Sequence, residues 1–230
     1  MQVVVLCGGK GTRLNEYTED IPKPMIEVGK KPILWHIVQA YRSFNHNDFI
    51  FCLGYKGDKI IEYFRKDKDS KIEFVDTGEE TNKAERINKV KHLIKGNDFF
   101  VTYGDDLSDV DINKIYKFHK KNKKIVTLAA VRPESPFGIL DLNGKDEVIG
   151  FKEKPMLDHF INGGFYVFSK KIFRYMKKGC DLETDVLKNA AKDRQIAAFK
   201  HNGFWKSMNT LKDVIELNEL YKKGTLKWLK

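Results

Sequence analysis

Residues Val3 to Met25 read VVVLCGGKGTRLNEYTEDIPKPM. The run Val3-Val4-Val5-Leu6 is apolar and mostly β-branched, which predicts a buried strand. Gly8, Gly9 and Gly11 follow within four positions. Lacking a Cβ, they let backbone N–H groups approach a ligand closely. Successive N–H groups in such a turn form a concave anion site. Thr12 and Arg13 come next, and Lys23 stands between Pro22 and Pro24. A strand, a glycine turn and two spaced cations suit a polyphosphate: the glycines cradle it and Arg13 and Lys23 neutralise it. The spacing matches neither G-x-G-x-x-G nor the phosphate loop that ends in Gly-Lys-Ser/Thr.

Working outward, Ile33, Leu34, Ile37, Val38, Tyr41 and Phe44 keep helical spacing, with Pro32 expected at the first helical position. His36 lies in this helix and reads as structural. Residues 49–53 form the next strand, and 59–64 the next helix. Residues 71–75 are a short strand, and a helix follows from 81–83 onward carrying Arg86. Residues 98–103 are a buried strand ending in Gly104-Asp105-Asp106-Leu107-Ser108-Asp109. Strand and helix alternate, which predicts a parallel sheet. Acids at the carboxyl end of such a strand sit where α/β sheets bind ligands. Asp105 is therefore the candidate Mg²⁺ ligand; Asp106 and Asp109 read as turn or capping residues. Further on, two short strands flank Asn143-Gly144. Residues 160–168 form a strand interrupted by Gly163 and Gly164, the mark of a bulge or a close approach. A helix is expected through Phe173 and Met176, and an amphipathic helix near the end.

The 230 residues, 41% hydrophobic and 12% aromatic, suit one globular α/β domain. No apolar run reaches membrane-spanning length and no signal-like segment opens the chain, so the cytoplasm is the expected compartment. Cys7, Cys52 and Cys180 are too few and too far apart for a disulfide framework or a zinc site. The formal charge of +10 raises nucleic-acid binding. The lysines are spread along the chain, however, and aromatic residues are not interleaved with the clusters at 66–71 and 119–124. Neither nucleic acid nor a membrane is expected as a partner; the positive field suits anionic nucleotides and phosphates.

The pieces GGKGTRL, PKPM, KPILWHI, GYKG, VDTG, TYGDD, FGILD, FKEKP, INGGFYV and HNGFWKSMNTLKD occur in the order found in the sugar-phosphate nucleotidyltransferase family. Over nearly all of its length the chain resembles the glucose-1-phosphate cytidylyltransferase branch of that family. The resemblance implies a mixed, mostly parallel sheet with a Rossmann-like nucleotide-binding core flanked by helices, as a single domain over 1–230. It implies CTP and a small phosphorylated substrate as ligands, Mg²⁺ (or Mn²⁺) as cofactor, and a homo-oligomer. It assigns catalysis to Arg13, Lys23 and Asp105. Nucleotide binding falls to Leu6, Gly8, Gly9, Gly11, Thr12, Arg13, Lys23, Arg86 and Gly104. The second substrate falls to Tyr103, Glu153, Lys154, Asn162 and Gly163, and the metal to Asp105 and Asn209. Arg86 reads equally well as an ordinary surface residue.

Three departures stand out. The family usually has aspartate where this chain has Met208-Asn209-Thr210, and asparagine offers a carbonyl oxygen without charge. Asn209 also fits a helix cap beside a Thr210-x-x-Asp213 capping box. The connection between Phe64 and Val75 is short where the branch carries an insert, and Ala84-Glu85 replaces a glycine pair. Two alternatives remain at this level. One is a cytidylyltransferase for a non-sugar phosphate, such as phosphocholine or a phosphorylated amino acid or amide. The other is a nucleotide-binding protein with weakened catalysis.

Overall fold

The computed structural model describes residues 1–14, 18–225 and 228. In chain order, β1 (Gln2–Leu6) leads through the glycine loop and a 3₁₀ turn at Lys23–Met25 into a small ladder, β2 (Glu27–Val28) and β3 (Lys31–Pro32). Then follow α1 (Ile33–Arg42), β4 (Asp48–Leu53), α2 (Gly57–Phe64), β5 (Lys71–Asp76), α3 (Lys83–Lys89), β6 (Asp98–Tyr103) and β7 (Asp106–Ser108). The second half holds α4 (Ile112–Asn122), β8 (Val126–Val131), the hairpin β9 (Ile139–Leu142) and β10 (Val148–Lys152), and the long β11 (Ile161–Ser169). It closes with α5 (Lys188–Lys192), β12 (Ile196–His201), β13 (Trp205–Ser207) and α6 (Leu211–Lys222).

Seven strands form one sheet in the order β12-β8-β11-β6-β1-β4-β5. Every neighbouring pair is parallel except the two made by β11, which runs against β6 and β8. The sheet is thus mixed and mostly parallel, as expected. Side chains alternate across a strand, so both faces of a central strand need cover. Val3 and Val5 enter one core with α1, α2 and α6, and Val4 enters the other with α3. All three valines are completely buried.

From β1 the chain steps to β4 and β5 on one side, then crosses to β6 on the other. Strand order therefore reverses at β1, which opens a crevice beyond the carboxyl ends of β1 and β6. The ends of the helices carry their own caps. Asn82 accepts from the Glu85 N–H, Asp111 accepts from the Lys114 N–H, and Thr210 with Asp213 forms a full capping box.

Several elements differ from the sequence reading. Pro32 is extended and precedes α1 rather than opening it. The segment Lys170–Tyr175 is 3₁₀, and Leu182–Leu187 is a π-turn capped by Asp181. Asp106 lies in β7, not in a turn, because β13 returns to pair with it. His36 is buried and structural: its Nε2 meets the Val28 carbonyl and its Nδ1 accepts from Trp228 Nε1.

Candidate active site

At the switch point the structure opens a cleft of about 710 Å³. One wall is the glycine loop. The Gly8 carbonyl accepts from the Tyr55 N–H at 3.1 Å, and Arg86 reaches the same oxygen from below at 2.9 Å. Gly8 tolerates no side chain: a Cβ there would lie 2.2 Å from an Arg86 nitrogen and 2.7 Å from the Leu53 carbonyl carbon. Leu6, Gly9, Gly11, Thr12 and Arg13 continue this wall, with Arg13 exposed at the rim.

Arg86 is neither a surface residue nor a free cation. It is 4% exposed. Its terminal nitrogens donate to Leu53 O, Thr77 Oγ1, Gly8 O and Glu79 O. Burial lowers its pKa, although neighbouring groups push the other way. The adjacent Cys52 thiol is pushed up to about 12 by burial, and that of Cys7 is raised also, so both stay neutral. Arg86 touches the cleft but spends its hydrogen bonds on Gly8, Leu53, Thr77 and Glu79.

Opposite the loop, β6 ends at Tyr103-Gly104-Asp105. The Gly104 N–H bonds to the Leu6 carbonyl at 3.1 Å, which ties the two strand ends together. Lys23 forms a close ion pair with Asp105 and donates to Asn209 Oδ1 at 2.9 Å. Two oxygens from distant parts of the chain thus converge on one cation. The Met208 N–H, bonded to the Asp105 carbonyl at 3.0 Å, holds them side by side. Among the described residues no three His, Cys, Asp or Glu side chains gather as a metal cage. One carboxylate with one carbonyl oxygen still suits Mg²⁺, which takes its remaining ligands from water and substrate phosphates.

Beneath this pair lies Asp106, which the sequence reading passed over as a turn residue. It is 4% exposed. Burial first, and the Asp105 charge second, raise its pKa well above the carboxylate range, and a hydrogen bond with Ser207 opposes this. Gly164, at φ +76°, leaves room for it: a Cβ there would sit 2.1 Å from Asp106 Oδ2. Asp109 is likewise no cap; it pairs with His201 at 2.8 Å.

The far end of the cleft is polar and aromatic. Tyr103 OH meets Tyr166 OH at 2.7 Å and donates to Glu183 at 2.5 Å. Burial, with the nearby Tyr166 and Glu183, raises the Tyr103 pKa far above its usual value, so this hydroxyl is a donor and not a base. Lys83 pairs with Glu183, and Asn162 donates to Tyr166. Gly163 is not itself in the lining; its carbonyl accepts from Trp205 Nε1 at 2.8 Å and so carries β13.

The expected residues are therefore mostly brought together, with three exceptions, Gly163 and the pair Glu153 and Lys154. Glu153 and Lys154 follow the β9–β10 hairpin, lie outside the cleft's lining, and pair with each other at 3.5 Å, both exposed. Lys10, Glu79 and Glu80 were not foreseen: Lys10 binds both acids across the mouth of the cleft, at 3.1 and 2.5 Å. A lysine inside GGKG is the one trace they leave in the sequence.

A glycine loop at the switch point of such a sheet is where α/β folds bind phosphate-bearing ligands. Residues 2–224 match the profile of the nucleotidyl transferase family, and the chain belongs to that family. It is 38% identical, over 99% of both chains, to the "Probable glucose-1-phosphate cytidylyltransferase" of Bacillus subtilis strain 168. It is 37% identical to the glucose-1-phosphate cytidylyltransferase of Salmonella typhimurium, over 99% of this chain and 98% of the other. The crystal structure of HddC from Yersinia pseudotuberculosis complexed with GMP-PN superposes with a TM-score of 0.75 at 26% identity, covering 96% of this chain and 99% of that one. No helix among the described residues is long and apolar enough to cross a membrane.

Proposed function

We propose that the protein joins CTP to glucose 1-phosphate, giving CDP-glucose and pyrophosphate. The observation that carries this reading is the convergence of Lys23, Asp105 and Asn209 opposite a glycine loop. The base and the sugar come from the names of the Bacillus and Salmonella relatives. An oxygen of the sugar phosphate attacks the α-phosphorus of CTP. A new P–O bond forms, the bond between the α-phosphorus and its bridging oxygen breaks, and pyrophosphate leaves with the electron pair. Such chemistry needs positioning and charge neutralisation more than covalent catalysis.

The glycine loop N–H groups receive the polyphosphate and Arg13 holds the departing end. Lys23 exchanges its contacts with Asp105 and Asn209 for the reacting phosphates. Asp105 and Asn209 are the residues that would hold Mg²⁺, whose chemistry when bound is to neutralise phosphate charge. Tyr103 and Asn162 line the side where the sugar lies. Lys154 takes the incoming phosphate only if the turn after β10 swings toward the cleft. The compartment is the cytoplasm, where nucleoside triphosphates are found.

A homo-oligomer belongs to this reading. In the β9–β10 hairpin, Leu140 opposes Phe151 and Leu142 opposes Val148, so one face is apolar. All four are exposed, as are Phe137, Ile149 and Met156. Together they expose roughly 800 Å², about one partner's share of a standard interface. Residues 134–158 hold six acids and three lysines, net −3 in a chain of +10.

Pyrophosphate release with Mg²⁺, each of the four NTPs and dTTP, against phosphates led by glucose 1-phosphate, tests the activity. Release restricted to CTP with glucose 1-phosphate is expected. Release with CTP and only a non-sugar phosphate would overturn the substrate. No release from folded protein that binds CTP would overturn the activity.

A further inference from the structure

Asparagine differs from aspartate in having two unlike ends. A carboxylate presents an oxygen whichever way it turns; an amide presents an oxygen or an NH₂ group. For Asn209 to serve a cation, something must fix which end faces the cleft. Lys23 does so in the ligand-free protein, because its ammonium needs an acceptor and takes Oδ1 at 2.9 Å. That hold is lost once phosphates draw Lys23 away, at the moment when the carbonyl is needed.

The other end of the amide has its own partner. Asn209 Nδ2 donates to Ser207 Oγ at 2.8 Å. Residues 207 and 209 are two apart at the end of an extended strand and share a face. Ser207 stands opposite Asp106 in the antiparallel β7–β13 ladder. The serine oxygen accepts from Asn209 on one side and neighbours the buried Asp106 carboxyl group across the ladder on the other. Reversing the amide would set its carbonyl against the serine and its NH₂ against the Lys23 ammonium, donor against donor. Asp106 is fixed in turn by the tight fit of Gly164 around it.

We propose that Ser207, backed by Asp106, is the positioning residue that keeps the Asn209 carbonyl oxygen turned to the cation, and so lets an asparagine stand in for a carboxylate. This rests on the reading of Asp105 and Asn209 as the metal's protein ligands. Partners that orient a ligand in this way are worth about tenfold or more in metal affinity.

The test is Mn²⁺ affinity, read by electron paramagnetic resonance on the full chain saturated with CTP. Ser207→Ala should weaken Mn²⁺ binding by roughly tenfold, and Ser207→Thr, which keeps the hydroxyl, should restore most of it. In an Asn209→Asp background the same Ser207→Ala change should cost less than about twofold, since a carboxylate needs no orienting. Equal losses in both backgrounds would make Ser207 a general support of the strand and overturn the proposal. No loss in the wild-type background would overturn it as well. If neither the wild type nor Asn209→Asp bound Mn²⁺ while CTP still bound, the metal reading itself would fail, and the positioning role with it.

Discussion

Replacing Arg86 by lysine keeps a positive charge beneath the glycine loop but removes the geometry that uses it. The guanidinium makes four hydrogen bonds, to Leu53 O, Thr77 Oγ1, Gly8 O and Glu79 O. An ammonium at the end of a single stem reaches one or two of these. Two of the deserted carbonyls keep other partners: Gly8 O has the Tyr55 N–H at 3.1 Å and Leu53 O has the Thr77 N–H at 3.0 Å. The full penalty of a buried, unpaired oxygen therefore does not apply to them. Counting two or three lost bonds from a charged donor at about 1.5 kcal/mol each gives a loss of roughly 3–4.5 kcal/mol. For a chain of this size that lowers the melting temperature by about 6–18 °C. Urea unfolding of Arg86→Lys checks the first figure and a thermal scan the second. CTP affinity should fall too, because the Gly8 turn loses its support. Unchanged stability with a sharp loss of CTP affinity would refute the argument, since it would mean that Arg86 acts on the nucleotide directly.

Lys23→Ala and Arg13→Ala should each lower kcat/KM for pyrophosphate release by about 10²–10³, the scale of one preorganised donor at a charged transition state. Gly164→Ala should destabilise the fold by at least 2 kcal/mol or abolish soluble expression, since the new Cβ meets the Asp106 carboxyl group and the backbone is left-handed there, at φ +76°. The histidine contribution to stability should fall on acidification from pH 7 to 5, because burial lowers the pKa of His36 and of His119 below 6.5 and the unfolded histidines then bind more protons than the native ones; buried Asp106, with its raised pKa, contributes in the opposite sense. The slope is at most about 1.4 kcal/mol per pH unit for each histidine. For His36 the cause is visible: protonated Nδ1 would face the Trp228 N–H, donor to donor. His36→Gln should flatten part of the urea-midpoint profile. By light scattering the wild type should run as an oligomer and the Phe151→Asp, Leu142→Asp double variant as a monomer, with the far-ultraviolet circular dichroism unchanged.

The fold was legible where local pattern and buried face agree. The unbroken valines of β1 serve two cores at once, which only a central strand does. The switch point followed from element order, and the glycine loop and Asp105 fell where that order puts them. Reading failed where a residue's meaning lies in a distant partner. Arg86 looks like a helix-surface cation because the carbonyls that hold it belong to residues 8, 53 and 79. Asp106 looks like a turn residue because β13, its ladder partner, is nearly the whole second half of the chain away. Glu153 and Lys154, which lie farthest from the expected grouping, were read from FKEKP and its place in the order of motifs, and the hairpin they follow exposes most of the large apolar side chains found at the surface among the described residues.

Asn209 shows the same limit more sharply. Its type alone supports a cap, a weak ligand or a lost ligand. The cap is excluded because Thr210 holds that place, with Asp213 completing the box and also taking the Asn209 N–H. Between the other two, the decision passes to neighbours. Lys23 and Ser207 each bind one end of the amide: the ammonium takes the oxygen and the hydroxyl oxygen takes the hydrogen. An amide held between such partners has a defined polarity toward the cleft, which a side chain that had merely lost its charge would not need. The residue that makes the position most doubtful in the sequence is therefore the one whose surroundings constrain it most.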